Sequence, residues 1–593
     1  MISRRTLLQL ALASPVLAAL PQLRGSLLDG PSIVVPLVDG ADVSRVKVVR
    51  RWKGTVCHSH VTNQGREAVR IKELVLFDLK LSLPGSTRLY GEGFQMLSQT
   101  GGTLGQPSDL GNYTDAKHYK MPAPTGAKAF YGMMMLSPSL RDNHLLAFTS
   151  CRRYIGQFYL NNPSLKVVID TEGAELKPGE TWQLEPLTYQ SGSDREQLLD
   201  NLATQLVANH PRLRFPTPPT GWCSWYCFGP RVTAKQVLDN LDFIAKHTPG
   251  LRYVQIDDGY QPAMGDWLDT GAAFGGDVQG VLKEIRKRGF EPAIWVAPFV
   301  AEEKSKVFQQ HPSWFVQDSE GKPLRSDRVT FGGWRRGPWY VLDGTHPEVQ
   351  KHFERFFRIM KRDWGCTYFK LDANFWGAIH GGRFHDPRAT RIEAYRRGMK
   401  AILRGVQDSF VLGCNHPIWP SLGLIHGSRS SNDIKRTWER IATTARQNLS
   451  RNWQNGRLWW NDSDAIVLTG DLPDNEFQFH ATAIYASGGM LLSGDDLTKI
   501  SEQKLAMLRH LQPPTGVAAR FDDDSLRVGR IDLLTTREVI VLLNWDDTPQ
   551  KISVSLKRPS TITDFWTGFP HPQRGDGLTV EMPARSGRLL ICD

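Results

Sequence analysis

Between residues 221 and 493 the chain repeats one pattern: a short apolar run, an amphipathic stretch of helical period, then another short run. The runs 253–257, 292–297, 368–371 and 410–414 are β-prone, with 457–460 and 490–493 as later candidates. Between them, Val237, Leu241 and Ile244, a stretch at 278–287, Val349, Phe353, Phe356, Phe357 and Met360, and Ile392, Tyr395, Met399, Ile402 and Val406 mark four helices. Thr233 with Gln236 and Thr345 with Glu348 have the spacing of capping boxes. Strands that alternate with helices pair in parallel, because each helix returns the chain across the sheet. Sustained over about 290 residues, this alternation predicts a sheet closed into a (β/α)8 barrel.

A chain of 593 residues is too long for one core. Before the barrel, β-prone runs at 32–38, 69–77, 144–150, 164–170 and 181–189 are separated by turn residues, and no long helical period appears until 195–207. This predicts an N-terminal β-sandwich over 25–208, joined through Pro211, Pro216, Pro218 and Pro219 to a barrel over 209–512. After Pro513 and Pro514 the runs 526–531, 539–543 and 552–556 predict a small antiparallel β-domain over 513–593. The fold class is therefore multidomain, α/β plus β.

The first 24 residues carry Arg4 and Arg5, then an apolar run to Leu20 with small residues at Ala18 and Ala19. The run is too short to span a bilayer, so it predicts an export signal, resembling a twin-arginine signal, and delivery to a bacterial periplasm with no integral membrane span. Seven cysteines scattered over the chain form no disulfide framework, and the lone C-x3-C of Cys223 and Cys227 lacks the second pair of a metal site. Free thiols, no metal and no organic cofactor are expected. The net charge of +11 is spread without a basic block, so no nucleic-acid partner is expected; oligomeric state is not encoded in any pattern here.

The chemistry concentrates at 366–375, C-T-Y-F-K-L-D-A-N-F. Strand alternation puts Lys370, Asp372 and Asn374 on one face, and a cation two residues before a carboxylate favours the ionised state that a nucleophile needs. Barrel enzymes build their sites at the C-terminal ends of the strands. Those ends here carry Trp222, Trp225, Asp257, Asp258, Trp295, Lys370, Asp372, Cys414, the segment 429–433 and Asp462 with Asp464. A floor of carboxylates walled by indoles suits a polyhydroxylated neutral ligand, since indole faces stack on sugar rings.

G-W-C-S-W-Y (221–226), Y-V-Q-I-D-D-G-Y-Q (253–261) with G-D-W (265–267), Y-F-K-L-D-A-N (368–374) and W-W-N-D-S-D (459–464) together resemble glycoside hydrolase family 36, the melibiase-type α-galactosidases and their relatives. L-Y-G-E-G-F-Q (89–95) resembles a loop that this family sets near the sugar. The resemblance implies a retaining exo-glycosidase acting on terminal α-linked galactose, with Asp372 as nucleophile, Asp433 as general acid/base and Arg429 in support. It further implies that Asp257 and Asp258 hold the 4- and 6-hydroxyls, that Lys370 assists at the 3- and 4-positions, that Trp222 or Trp225 lines the pocket, and that Cys414 lies near the 2-substituent. Two departures stand out. C-N-H-P-I-W (414–419) replaces a glycine-rich run, which bears on galactose versus N-acetylgalactosamine, and Asn432 precedes Asp433 where many members have a second aspartate. A retaining pair needs one ionised and one protonated carboxyl, so burial or repulsion from Asp372 is expected to raise Asp433. An α-N-acetylgalactosaminidase, an α-galactosyl transferase and a silent carbohydrate-binding protein are the alternatives on this scaffold.

Overall fold

The structure is a computed structural model that describes residues 30–534, 537–571 and 575–593; the expected export segment lies outside these residues. Among them, eight short strands form a parallel sheet: β1 (Thr220–Cys223), β2 (Tyr253–Ile256), β3 (Glu291–Val296), β4 (Tyr368–Leu371), β5 (Phe410–Gly413), β6 (Gly427–Arg429), β7 (Trp460–Asp462) and β8 (Leu491–Ser493). They pair in the order β7-β6-β5-β4-β3-β2-β1-β8. The two ends of that order meet through parallel bridges between Asp462 and Met490 and between Ile466 and Ser493, so the sheet curls into a ring.

The helices follow their periodicity. In α1 (Ala234–His247) the Thr233–Gln236 capping box forms in both directions. The stretch 278–287 forms α2 (Val278–Lys287). In α3 (Pro347–Arg362) all five residues of the apolar stripe are buried, each side chain contributing about 1.5–3 kcal/mol of transfer free energy. Its cap differs from expectation: His346 accepts from the Glu348 N–H, while Thr345 turns away and donates its N–H and hydroxyl to Asp343. Pro347 at the first helical position sets the start one residue later than the Thr345 spacing implies. In α4 (Arg391–Val406), Thr390 and Glu393 form a capping box of their own. The strand expected at 457–460 begins only at Trp460, because the short 3-10 turn Asn452–Gln454 and the bond from Gly456 N–H to the Trp459 carbonyl occupy the preceding residues.

Antiparallel sheets flank the barrel. On the N-terminal side, among the described residues, a five-stranded and a nine-stranded sheet close over a core that includes Phe77, Phe130, Phe148, Phe158 and Trp182. The run expected at 181–189 is divided into Thr181–Gln183 and Leu187–Gly192, with Pro186, which has no N–H to give to a ladder, in the gap. On the C-terminal side, Ile531, Val541 and Leu589 pack with Phe479 and Ala483 of α5 (Asp474–Ser487), which joins that sheet to the barrel.

The strand Arg88–Glu92 is tied to the barrel by a buried ion pair. The Arg451 guanidinium meets the Glu92 carboxylate at 2.6 Å with the two side chains 1% and 0% exposed, and it also donates to the Ser430 carbonyl just beyond β6 at 2.9 Å. Tyr90 and Gln454 supply further donors to Glu92. Removing one partner of such a pair leaves a buried charge without compensation. Glu92→Ala is therefore expected to destabilise the protein by about 3–5 kcal/mol, read as a lower midpoint in denaturant unfolding.

Candidate active site

At the C-terminal end of the barrel a cavity of about 250 Å³ opens. Its floor comes from residues just past the strands, where the chain leaves the ladder and side chains converge: Asp257 and Asp258 after β2, Asp372 after β4, Cys414 and Asn415 after β5, and Ser431, Asn432 and Asp433 after β6. Trp295 in β3 and Lys370 in β4 sit side by side, since these residues pair directly across the sheet. Trp225 forms part of the wall.

Lys370 does not pair with Asp372. Its ammonium group meets the Asp257 carboxylate at 2.9 Å, with both side chains under a tenth exposed. Burial disfavours the ammonium, but the Asp257 charge outweighs it and holds Lys370 well above the usual lysine range. Asp257 also accepts from Gln255 Nε2 at 2.6 Å, the Cys223 thiol at 3.4 Å and the Asp258 N–H at 2.9 Å. Asp258 is gripped by Arg335 through two parallel N–H donors and takes Gln261 Nε2 at 2.6 Å. A carboxylate oxygen has about two acceptor positions; Lys370, Gln255 and Cys223 crowd Asp257 Oδ2 while Oδ1 takes only the Asp258 N–H, and Asp258 Oδ2 takes only Arg335, so each aspartate keeps about one position for a ligand hydroxyl.

Asp372 has its own donors: the Trp295 indole N–H at 3.1 Å and the Ala373 N–H at 2.7 Å. The Ala373 backbone is left-handed (φ 54°), which ends the strand and folds this N–H back onto the carboxylate. Burial pushes Asp372 up; the Lys370 charge and the two hydrogen bonds pull it down in part, repulsion from Asp433 adds to the rise, and the net displacement is upward.

Asp433 departs from expectation in the opposite sense. Its carboxyl group is surrounded by protein, which raises it, yet the side chain is 57% exposed where it lines the cavity. The Arg429 and Lys370 charges and bonds from Arg429 and Tyr226 outweigh that burial, so Asp433 is held below the ordinary carboxylate range. Arg429 is 1% exposed and does not line the cavity; it stands behind Asp433 at 2.8 Å and is shared with Asp464 at 2.5 Å. The Tyr226 hydroxyl donates to Asp464 at 2.6 Å, as does the Ile434 N–H. Burial, partly offset by Arg429 and reinforced by Asp433 and Asp462, pushes Asp464 up to about 7. Asp462 accepts the Asp464 N–H at 3.0 Å, the geometry of a turn.

Of the remaining expected residues, Trp222 is fully buried and donates its indole N–H to the Asp495 carbonyl at 2.7 Å, so of the two indoles in G-W-C-S-W-Y it is Trp225 that reaches the cavity. Cys414 lines the cavity with its thiol held protonated by burial and by the Asp372 charge. All seven cysteines are free, and among the described residues no cluster of three potential metal ligands occurs.

Several lining residues lie outside the motifs. Leu97, Tyr113 and Tyr119 come from the N-terminal sheets, and Phe331 and Trp334 from the long connection between β3 and β4 that also carries Arg335. Loop 93–98 is laid against the exit of β5 by the bond from Met96 N–H to the His416 carbonyl, and Tyr119 donates to Asn415 at 2.9 Å. The signal for the second group was the run F-G-G-W-R-R-G-P-W at 331–339, dense in aromatics and glycine. Gly333 there has φ 116°, and a Cβ would lie 2.6 Å from the Trp339 ring, so the loop takes its shape only with glycine. Lys435 and Arg440 complete the wall, the latter from the first turn of the helix Trp438–Ser450.

A family model described as Melibiase matches residues 242–409. The chain is similar to the myogenesis-regulating glycosidase of Mus musculus, at 30% identity over 26% of this chain and 20% of that protein. It is also similar to alpha-galactosidase 2 of Pediococcus pentosaceus, at 21% identity over 41% of this chain and 33% of that protein. It thus spans between about a fifth and a third of the length of these curated relatives. Among solved structures, TtGalA, an alpha-galactosidase from Thermus thermophilus in complex with p-nitrophenyl alpha-D-galactopyranoside, superposes with a TM-score of 0.62 at 22% identity over 85% of this chain and 98% of that one. The GH36 alpha-galactosidase AgaA from Geobacillus stearothermophilus superposes with a TM-score of 0.60 at 13% identity over 95% of this chain and 87% of that one. At these identities the likeness is one of fold. The melibiase segment and the similarity to α-galactosidases agree with the resemblance of the motifs at 221–226, 253–267, 368–374 and 459–464 to the melibiase-type glycoside hydrolases of family 36.

Proposed function

We propose that the protein is an α-galactosidase that removes terminal α-linked galactose by double displacement, with Asp372 as nucleophile and Asp433 as general acid and then base. The observation that carries this reading is one cavity lined by both carboxylates together with Asp257, Asp258 and Lys370. Asp257 and Asp258, each with about one acceptor position left, would receive sugar hydroxyls, with Lys370 as a donor beside them. The Trp295 and Ala373 donors hold the Asp372 carboxylate in one orientation for attack on the anomeric carbon. Attack forms the glycosyl–aspartate bond as Asp433 passes its proton to the departing oxygen; Asp433 then takes a proton from the water that cleaves the glycosyl bond. Trp225 and Trp295 would flank the ring, and Cys414 would face the 2-position.

Arg429 opposes the protonated state that this role requires of Asp433, and Asp464 relieves that opposition by taking a share of the same guanidinium. A bound sugar displaces cavity water and strengthens the repulsion between Asp372 and Asp433, which favours a proton on Asp433. Export through the segment 1–24 to a bacterial periplasm, and the division at 208 and 512, belong to the same proposal; among the described residues no helix is long and apolar enough to cross a membrane.

Aryl α-galactoside, α-N-acetylgalactosaminide, α-glucoside and α-xyloside assayed side by side test the reading. Turnover of the galactoside is expected, and turnover of the glucoside or xyloside alone would overturn it. Asp372→Asn should lower kcat by at least about a thousandfold. Asp433→Asn should cost about 10²–10⁴ in kcat with a poor leaving group and far less with a nitrophenolate.

The pH profile follows from the two displacements. Asp372 must be ionised in the substrate complex, so kcat should fall as pH drops through its raised pKa. Asp433 must be protonated, and Asp464, once ionised, repels it and takes a share of Arg429, both of which favour that proton. Asp464→Asn removes that contribution and should move the alkaline limb of kcat, which reports the complex in which bound sugar favours the proton on Asp433, to lower pH; an unmoved limb would remove Asp464 from this role.

A further inference from the structure

The cavity is graded in exposure and in charge. Asp257, Asp258 and Lys370 at its floor are at most 5% exposed, whereas Asp433, Lys435 and Trp334 stand at the rim in contact with solvent and Arg440 is half-buried beside them. A sugar seated on the floor with its anomeric carbon at Asp372 directs its leaving group toward that rim, past Asp433.

Three of the cavity's carboxylates have a cation each, and two cations at its rim have no carboxylate among the described residues. Asp257 has Lys370, Asp258 has Arg335 and Asp433 has Arg429. Lys435 and Arg440 line the same cavity, yet neither forms an ion pair with any carboxylate among the described residues. Arg440 also sits in the first turn of a 13-residue helix whose N-terminus is capped by Thr437, the end whose dipole favours an anion rather than a cation. Two cations without a carboxylate partner among the described residues therefore line the leaving-group side. Trp334, 38% exposed, offers an aromatic face on the same rim.

We propose that this rim is a leaving-group site for an anion: the protein prefers α-galactosides whose aglycone carries a carboxylate or a sulfate-like oxyanion, which Lys435 and Arg440 bind. The proposal rests on the α-galactosidase reading and names its substrate class. The Asp433 carboxyl does not repel such an aglycone in the reactive state, because it is then protonated.

The test compares three 4-nitrophenyl α-galactosides that carry a ring carboxylate, a ring sulfonate or the neutral methyl ester of the carboxylate. At low salt, kcat/KM for an anionic form should exceed that for the ester by at least about fivefold. The ratio should shrink as ionic strength rises, because rim charges are screened. In the double variant Lys435→Gln, Arg440→Gln the ratio should fall to about one; reading a ratio separates charge recognition from any general loss of activity. Preference for the carboxylate alone or the sulfonate alone supports the proposal and identifies the anion. Equal kcat/KM for all three, or a preference kept in the double variant, overturns it. If no galactoside is cleaved, the α-galactosidase reading fails instead, and calorimetric binding of the same compounds decides the rim: tighter, salt-sensitive binding of the anionic forms supports the site, and equal binding overturns it.

Discussion

Everything in the cavity is arranged around the ion pair between Lys370 and Asp257, two charges 2.9 Å apart and nearly sealed from water. Neither charge is tolerable alone at that depth, and together they carry a desolvation cost that stability by itself gives no reason to accept. Their joint effect is a rigid polar floor. The pair links β2 to β4 across β3, consumes the cation that stands closest in sequence to Asp372, and leaves Asp372 to be oriented by the Trp295 indole and its own chain turn. A neutral donor set positions that carboxylate without cancelling its charge.

The opposite wall works by sharing. One nitrogen of Arg429 serves Asp433, Asp464 and the Tyr226 hydroxyl at once. Because Asp433 opens onto the cavity while Asp464 is sealed behind it, the same cation depresses the first, while burial prevails at the second and lifts it to about 7. Proton occupancy on this wall is a property of the cluster rather than of one residue. The N-terminal sheets take part as well, since the Glu92–Arg451 pair reaches the carbonyl of Ser430, three residues before Asp433.

Much of the architecture could be read from spacing. The stripe from Val349 to Met360, the Thr233–Gln236 cap and the strand at 368–371 depend on contacts between near neighbours in sequence, and periodicity reports such contacts directly. Errors arose where a neighbour changed the local geometry: Pro347 moved the start of α3, and the turn at 452–454 delayed β7. The site residues named from strand ends mostly converge on one cavity, because a closed parallel barrel sends every strand's C-terminal end to the same face. Trp222 missed the cavity because adjacent residues on a strand point to opposite sides, and its side took it into the core.

The sequence by itself determined the alternation that demands a parallel barrel, the carboxylates at its strand ends and the family they resemble, since each is a matter of local pattern. Only the tertiary structure decided which charge answers which. Lys370 lies two residues from Asp372 yet binds Asp257, 113 positions away, and Arg335 reaches Asp258 from a loop 77 positions on. Electrostatic partners are chosen by distance in space after the barrel has closed, and linear proximity on a strand fixes only which side a charge emerges from.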